Sequence, residues 1–147
     1  MYDPDASAIS IDDWLELARR HYGDARALKA ARRNDGVWMA SGFAVEAVLK
    51  ASIMAKERLN RWPDRNEAPE LYTHDLRALA QRLGISPRTF DPSDPSSASW
   101  KVAFEWERNH GYNVGKLPTR WADSMYDAAF GADGTIEWLA KRYRLNI

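Results

Sequence analysis

Three features of the sequence predict an all-α protein. Long segments repeat apolar residues every three or four positions, as amphipathic helices do. No segment of useful length alternates apolar and polar residues, as a half-buried β-strand would. Residues 36–55 are apolar or small at most positions, which is typical of a helix packed on several sides. We therefore predict an up-and-down bundle of four main helices, with one short additional helix, in a single domain over residues 1–147.

The first predicted helix follows a loose leader of residues 1–9. Ser10 and Asp13 have the spacing of a capping box, with aspartate in place of the usual glutamate, so the helix is expected to begin at Ile11. Its apolar pattern continues to about Arg33.

The predicted central helix follows a turn signal at residues 34–36, Asn-Asp-Gly, and ends near Asn60. A turn this short predicts that the first two helices form an antiparallel hairpin. The length of the apolar stretch also raises the question of a membrane span. Glu46 and Lys50 lie in its middle, however, and this favours a buried core helix.

The third predicted helix is capped by Thr73 and ends at Gly84. His74, beside the cap, is expected to form a local bond at the helix terminus, with a catalytic role as the alternative. A loop rich in proline and serine follows over residues 85–99. Residues 100–109 are then predicted to form the short extra helix.

The last predicted helix is capped by Thr119 and runs to about Tyr143. Its apolar positions keep the same helical phase across Gly131 and Gly134. This continuity predicts one helix that tolerates two glycines.

Composition excludes several functional classes. Lysine plus arginine equals aspartate plus glutamate at 21 each, so no global field favours nucleic acid. The chain has no cysteine and three dispersed histidines, which argues against disulfides and a zinc site and predicts no metal or other cofactor. The N-terminal residues lack a basic region followed by an apolar run, so we expect no signal peptide and a cytoplasmic protein away from membranes.

Two groups of residues are candidates for binding a polyanion. On the first helix, Arg19, Arg26, Lys29 and Arg33 share a stripe with few acidic neighbours, which indicates either a phosphate track or a solvated face. The second group lies in the segment Glu107–Tyr112, where arginine can hold a phosphate and histidine can transfer a proton. The competing interpretation of this segment is a helix end where the same side chains bond to free carbonyls.

The motif AVEAVLKA at residues 44–51, followed by YTHDLRALAQRLG at 72–84, resembles HEPN domains, the "higher eukaryotes and prokaryotes nucleotide-binding" helical proteins. DAxxL at 24–28 and IEWL at 136–139 fit the same pattern. The resemblance implies an α-helical bundle that commonly forms a homodimer. It also implies a ribonuclease toxin or defence protein, often paired with a small nucleotidyltransferase antitoxin.

The family signature is an arginine, then four to six residues, then His-x-Tyr, which would place the arginine at residues 103–105. Here His110-Gly111-Tyr112 matches the second half, while the arginine, Arg108, is only two residues before the histidine. The resemblance therefore implies a degenerate site with Arg108 and His110 as catalytic residues and Asn109 and Tyr112 as contacts to nucleotide or RNA. If active, it would be a metal-independent endoribonuclease.

Two other functions remain open at this level. One is a non-catalytic HEPN-like dimeric scaffold or protein-binding module. The other is an interaction protein of unrelated origin.

Overall fold

A computed structural model describes residues 1–147, and all of its regular secondary structure is helical. The prediction of an all-α fold is confirmed. Six α-helices occur in the order α1 (Ile11–Ala30), α2 (Asn34–Glu57), α3 (Leu76–Arg82), α4 (Ser97–Ala103), α5 (Thr119–Phe130) and α6 (Thr135–Tyr143). Two short 3₁₀ helices lie between them, at Pro69–Leu71 and Arg108–Tyr112.

The predicted capping box opens α1. The Asp13 amide donates to Ser10 Oγ at 3.0 Å, and the Ser10 amide donates to Asp13 Oδ2 at 3.1 Å. The Ile9 and Ser10 amides both stabilise the charged carboxylate, so the pKa of Asp13 lies below its ordinary value. Two donors at the helix start are thus satisfied by side chains that are close in sequence.

The turn between α1 and α2 lies at residues 31–33, three residues earlier than predicted, with Arg32 in the left-handed region at φ 58°. Asn34 and Asp35 were expected in that turn but begin α2. Their side chains bond instead to a distant loop. Asn34 Nδ2 donates to the Leu117 carbonyl at 3.1 Å, and Asp35 Oδ1 accepts from the Leu117 amide at 3.2 Å.

The first two helices form the predicted antiparallel hairpin. A Cβ on Gly36 would lie 2.8 Å from Leu28 Cδ1 at the turn, and further along His21 lies against Phe43. At the open end Lys50 Nζ lies 5.1 Å from the Trp14 ring centroid. The end of α1 therefore contacts the start of α2, and the start of α1 contacts a later part of α2, so the two helices run antiparallel.

Helix α2 is the centre of the core. It is long and apolar enough to cross a membrane, yet 89% of its most apolar 18-residue window is buried inside the protein. A buried core helix was expected, and α2 has that character. The buried apolar side chains form one cluster of 25 residues drawn from the α-helices and from the loops between them.

Replacing Ala47 with phenylalanine tests the packing of α2 directly. Ala47 is only 3% exposed, so the larger ring must displace its neighbours, and we expect unfolding to become easier by roughly 1–3 kcal/mol. Ala27→Phe, on the exposed face of α1, is the matched control and should change stability by about 0.5 kcal/mol or less. Equal denaturation midpoints for the two variants would contradict the tight packing around α2.

The cap of α3 is Asp75 rather than Thr73. The Asp75 carboxylate accepts from the amides of Arg77 and Ala78, while Thr73 Oγ1 accepts from the Asp75 amide. A carboxylate at the cap can serve two free donors at once. The other end is as predicted, because Gly84 follows the helix with φ 78°.

The short helix predicted over residues 100–109 occupies 97–103 instead, and the chain then leaves the α-helical path. Trp106 explains the change. Its ring packs against Gly42, and its Nε1 donates to the Trp38 carbonyl at 3.0 Å. These contacts hold the ring where the chain has left the α-helix, and the separate 3₁₀ helix Arg108–Tyr112 follows.

The prediction of one continuous C-terminal helix is wrong. The chain breaks between α5 and α6, where Gly131 is extended at ψ 173° and Asp133 has φ 59°. A Cβ on Gly131 would lie 2.7 Å from the Asp127 carbonyl oxygen, and one on Gly134 would lie 2.8 Å from the Gly131 oxygen. These glycines permit a tight corner, and α5 and α6 pack separately against α2.

The start of α5 also differs from prediction. The cap position is Pro118, which lacks a capping side chain, and Thr119 is the first helical residue. Thr119 Oγ1 accepts instead from Asn34 Nδ2 at 3.0 Å. Its hydroxyl therefore links α5 to the start of α2.

Candidate active site

A buried carboxylate on α2 connects a buried lysine to a histidine at the protein surface. Glu46 is 7% exposed. Its Oε2 lies 3.2 Å from Lys50 Nζ, and its Oε1 lies 2.7 Å from His74 Nδ1. Lys50 is itself packed between Trp14 and Trp62, with Nζ 5.1 and 5.8 Å from the ring centroids. Lys50 thus compensates the charge of Glu46 through Oε2, while Oε1 bonds to His74.

This contact fixes the tautomer of His74. An ionised carboxylate only accepts hydrogen bonds, so His74 Nδ1 carries the proton that points to Glu46. Nε2 of the neutral ring then has a free lone pair and can accept a proton. The expectation of a local bond at the helix terminus is wrong, because the partner lies 28 positions away on another helix.

His74 opens into a surface cleft of about 410 Å³, which we call the His74 cleft. Its main side chains are His74, Arg77, Arg108 and Asn109, with Asp75 and Glu107 also contributing. Arg77 Nε donates to the Phe104 carbonyl at 2.8 Å, which leaves its other N–H groups available. Two guanidinium groups beside a histidine form a suitable site for a phosphate.

Arg108 is held by aromatic rings. Its guanidinium carbon lies 5.5 Å from the ring centroid of Phe43 and 5.5 Å from that of Tyr112. Stacking of this kind uses the faces of the guanidinium and leaves its N–H edges free. Neither Arg108 nor Arg77 has a carboxylate partner within 4.0 Å.

His110 differs from His74 in which ring nitrogen accepts hydrogen bonds. Its Nδ1 accepts from Trp38 Nε1 at 3.0 Å and from the Glu107 amide at 3.2 Å. The proton of the neutral ring must therefore be on Nε2, which becomes a donor. In this geometry His110 has no free lone pair with which to remove a proton.

The structure separates the residues that the family resemblance groups together. Arg108 and Asn109 line the His74 cleft, whereas His110 lines a second cleft with Trp38 and Trp121. Tyr112 is 75% exposed and lies beside Arg108. Arg108 therefore shares a cleft with His74 and not with His110.

A third histidine lies near the same carboxylate. The His21 ring is 5.4 Å from Phe43, and burial lowers its pKa although the charges of Asp24 and Glu46 act in the opposite direction. Burial thus favours the neutral form of His21. The lysine partner of Glu46 is Lys50, whose Nζ lies 3.2 Å from Oε2.

The basic stripe on α1 is less uncompensated than its sequence indicates. Arg19 lies 3.4 Å from Glu16, and its Nη2 donates to the Asn146 carbonyl at 2.6 Å. Lys29 Nζ lies 3.0 Å from Asp123 on α5, and this hydrogen bond raises the pKa of Lys29. Two of the four cations therefore have acidic partners, one of them supplied by the tertiary fold.

The other two stripe residues, Arg26 and Arg33, lie in different surroundings. Arg26 lines a shallow surface cleft with Lys29, and Arg33 occupies the cap position of α2. The phosphate track on this stripe stays a prediction.

No group of three or more histidine, aspartate or glutamate side chains is arranged to hold a metal ion. Comparisons of this chain with models of protein families, with curated proteins and with solved structures found no match.

Sequence reasoning missed the pair of Glu46 and His74. A signal was present, because two charged residues in the middle of an otherwise apolar helix must find partners when they are buried. Sequence spacing could not identify the partner on another helix.

Proposed function

We propose that this protein acts on RNA as a metal-independent endoribonuclease, with the His74 cleft as its active site. The proposal adopts what the HEPN resemblance implies. The fold is then an up-and-down bundle, and the protein belongs to a cytoplasmic toxin–antitoxin or defence system. A homodimer and a nucleotidyltransferase-type antitoxin are the partners it implies. The observation that supports it best is the 2.7 Å contact between Glu46 and His74, beside Arg108 and Arg77.

The proposed chemistry assigns one role to each polar group of the cleft. His74 Nε2 removes the proton from a ribose 2′-hydroxyl, and Glu46 stabilises the imidazolium that forms. The 2′-oxygen then bonds to the adjacent phosphorus, the bond to the 5′-oxygen breaks, and a proton from solvent completes the leaving hydroxyl. Arg108 and Arg77 bind the phosphate oxygens, where negative charge increases in the transition state. The products are a 2′,3′-cyclic phosphate and a 5′-hydroxyl.

The runner-up is a non-catalytic dimeric scaffold or protein-binding module. The separation of Arg108 from His110 favours it, since the family signature relies on those two residues acting together. The two functions differ in one observable, which is whether RNA is cut.

The test is incubation of the purified protein with a labelled single-stranded RNA in excess chelator. We expect cleavage with a cyclic phosphate at the new 3′ end, and no cleavage of a DNA strand of the same sequence, because DNA lacks the 2′-hydroxyl. Intact RNA in excess chelator, and also in a parallel reaction with divalent metal and no chelator, would contradict the nuclease and favour the scaffold. Equal cleavage of the DNA strand would contradict the proposed nucleophile.

A further inference from the structure

We infer that the second cleft is a nucleobase-binding subsite, here called the tryptophan cleft. It has a volume of about 410 Å³ and is built mainly from Trp38, His110, Asn113, Lys116, Arg120 and Trp121. Its size suits a single base with its sugar. The inference rests on the proposed function, because it assigns the base of a bound RNA strand to a place outside the His74 cleft.

Trp121 supplies the stacking surface. It is 44% exposed, which is unusual for so large an apolar side chain, and only part of it is covered by the fold. The ring of Trp38, which is buried, supports it at a centroid distance of 6.0 Å. An exposed indole on a buried support is a rigid platform on which any base can stack.

The polar groups around this platform match the edge of a base. His110 presents an Nε2–H donor, because its Nδ1 accepts from Trp38 and the nearest carboxylate oxygen, Glu107 Oε2, is 3.8 Å from Nε2, beyond hydrogen-bond distance. Asn113 Oδ1 accepts from the Gly115 amide, which leaves its amide N–H groups free to donate. Asp35 also lines the cleft, and its Oδ2 can accept from an exocyclic amino group. Donors and an acceptor thus converge beside an aromatic face.

Two cations complete the cleft. Lys116 and Arg120 are exposed, and neither forms an ion pair with a carboxylate. Unpaired cations beside an exposed indole distinguish this cleft from a purely apolar surface and favour a base that is attached to a phosphate.

The 3₁₀ helix Arg108–Tyr112 joins the two clefts. Arg108 lines one cleft, His110 lines the other, and the exposed ring of Tyr112 belongs to the same short helix. A single strand that crosses this helix can place a phosphate at Arg108 and a neighbouring base on Trp121. His110 then contacts the base and does not take part in proton transfer.

The test measures binding of two labelled strands by fluorescence anisotropy. One is an octamer of 2′-O-methyl adenosine, which cannot be cleaved because its 2′-oxygen is blocked. The other has the same backbone without bases. Trp121→Leu should weaken binding of the adenosine strand by about tenfold and leave binding of the abasic strand unchanged. Arg120→Gln should weaken both, because it removes a phosphate contact, and Arg88→Gln, at an exposed and unpaired arginine on another loop, should weaken neither.

Equal affinity of the wild-type protein for the two strands would overturn the inference, as would an equal loss for both strands in Trp121→Leu. Trp121→Tyr keeps an aromatic face and should restore most of the affinity, which also covers the case in which the leucine variant folds poorly. Base-dependent binding without RNA cleavage would support this subsite and reject the nuclease. Cleavage without base-dependent binding would support the nuclease and reject this subsite.

Discussion

Replacing His74 with alanine is expected to lower RNA cleavage by ~10²-fold or more while the protein remains folded. The side chain is largely exposed, and its one strong partner is Glu46, so its removal deletes the proton acceptor with little loss of packing. The measurement is the initial rate of cleavage of a labelled RNA. The helical circular dichroism signal should match that of the wild type, while the melting temperature should fall by a few degrees because Glu46 Oε1 loses its hydrogen bond to His74.

His110→Ala is the matched control for that experiment. It removes an imidazole whose Nδ1 already accepts from Trp38 and which lies in the other cleft. We expect a smaller effect on the cleavage step than for His74→Ala, with the loss appearing mainly in substrate affinity. If His110→Ala abolished cleavage and His74→Ala did not, the assignment to His74 would be wrong, and the Arg108 and His110 site implied by the family resemblance would be favoured.

Replacing Gly42 with alanine should destabilise the protein strongly, because among its glycines an added Cβ would make the closest contact at this position. A Cβ at this position would overlap the indole ring of Trp106, which is itself buried and held by a hydrogen bond to the Trp38 carbonyl. The ring cannot move without breaking that bond. We therefore expect a loss of about 3 kcal/mol in unfolding free energy, at the upper end for overpacking and well above the ~1 kcal/mol by which helix propensity favours alanine.

Gly23→Ala is the control, because it makes the same chemical change in α1 where nothing lies within 4 Å of the added methyl group. Only the helix propensity of the residue then changes, and the unfolding free energy of the variant should be higher than that of the wild type by roughly 0.5–1 kcal/mol. Urea denaturation measures both. The cost of Gly42→Ala should largely disappear in a Trp106→Ala background, and its persistence there would show that the ring is not the cause.

Local features of the sequence were sufficient to predict the helical class, the start of α1 and the end of α3. The capping box of Ser10 and Asp13 formed as predicted, since its atoms are three residues apart and need no other part of the chain. Gly84 followed the end of α3 as predicted, because its left-handed conformation is also a local property of the chain. The apolar surface of α2 also predicted its burial, because a helix without a polar face has to be covered.

Contacts between distant residues decided the rest. The sequence predicted a turn at Asn34 and Asp35. In the structure both residues begin α2, and their side chains bond to the backbone of Leu117. The glycines at 131 and 134 kept the apolar phase of a helix, yet the chain turns there so that α5 and α6 can each pack on α2.

The candidate site was decided in the same way. Sequence spacing placed Arg108 beside His110, but the fold placed Arg108 in the cleft of His74 and used His110 Nδ1 to accept from Trp38. Which histidine retains a free lone pair depends on which groups surround each ring. Only the tertiary structure brings those groups together, because Glu46 and Trp38 lie on α2, far in sequence from the histidines that they orient.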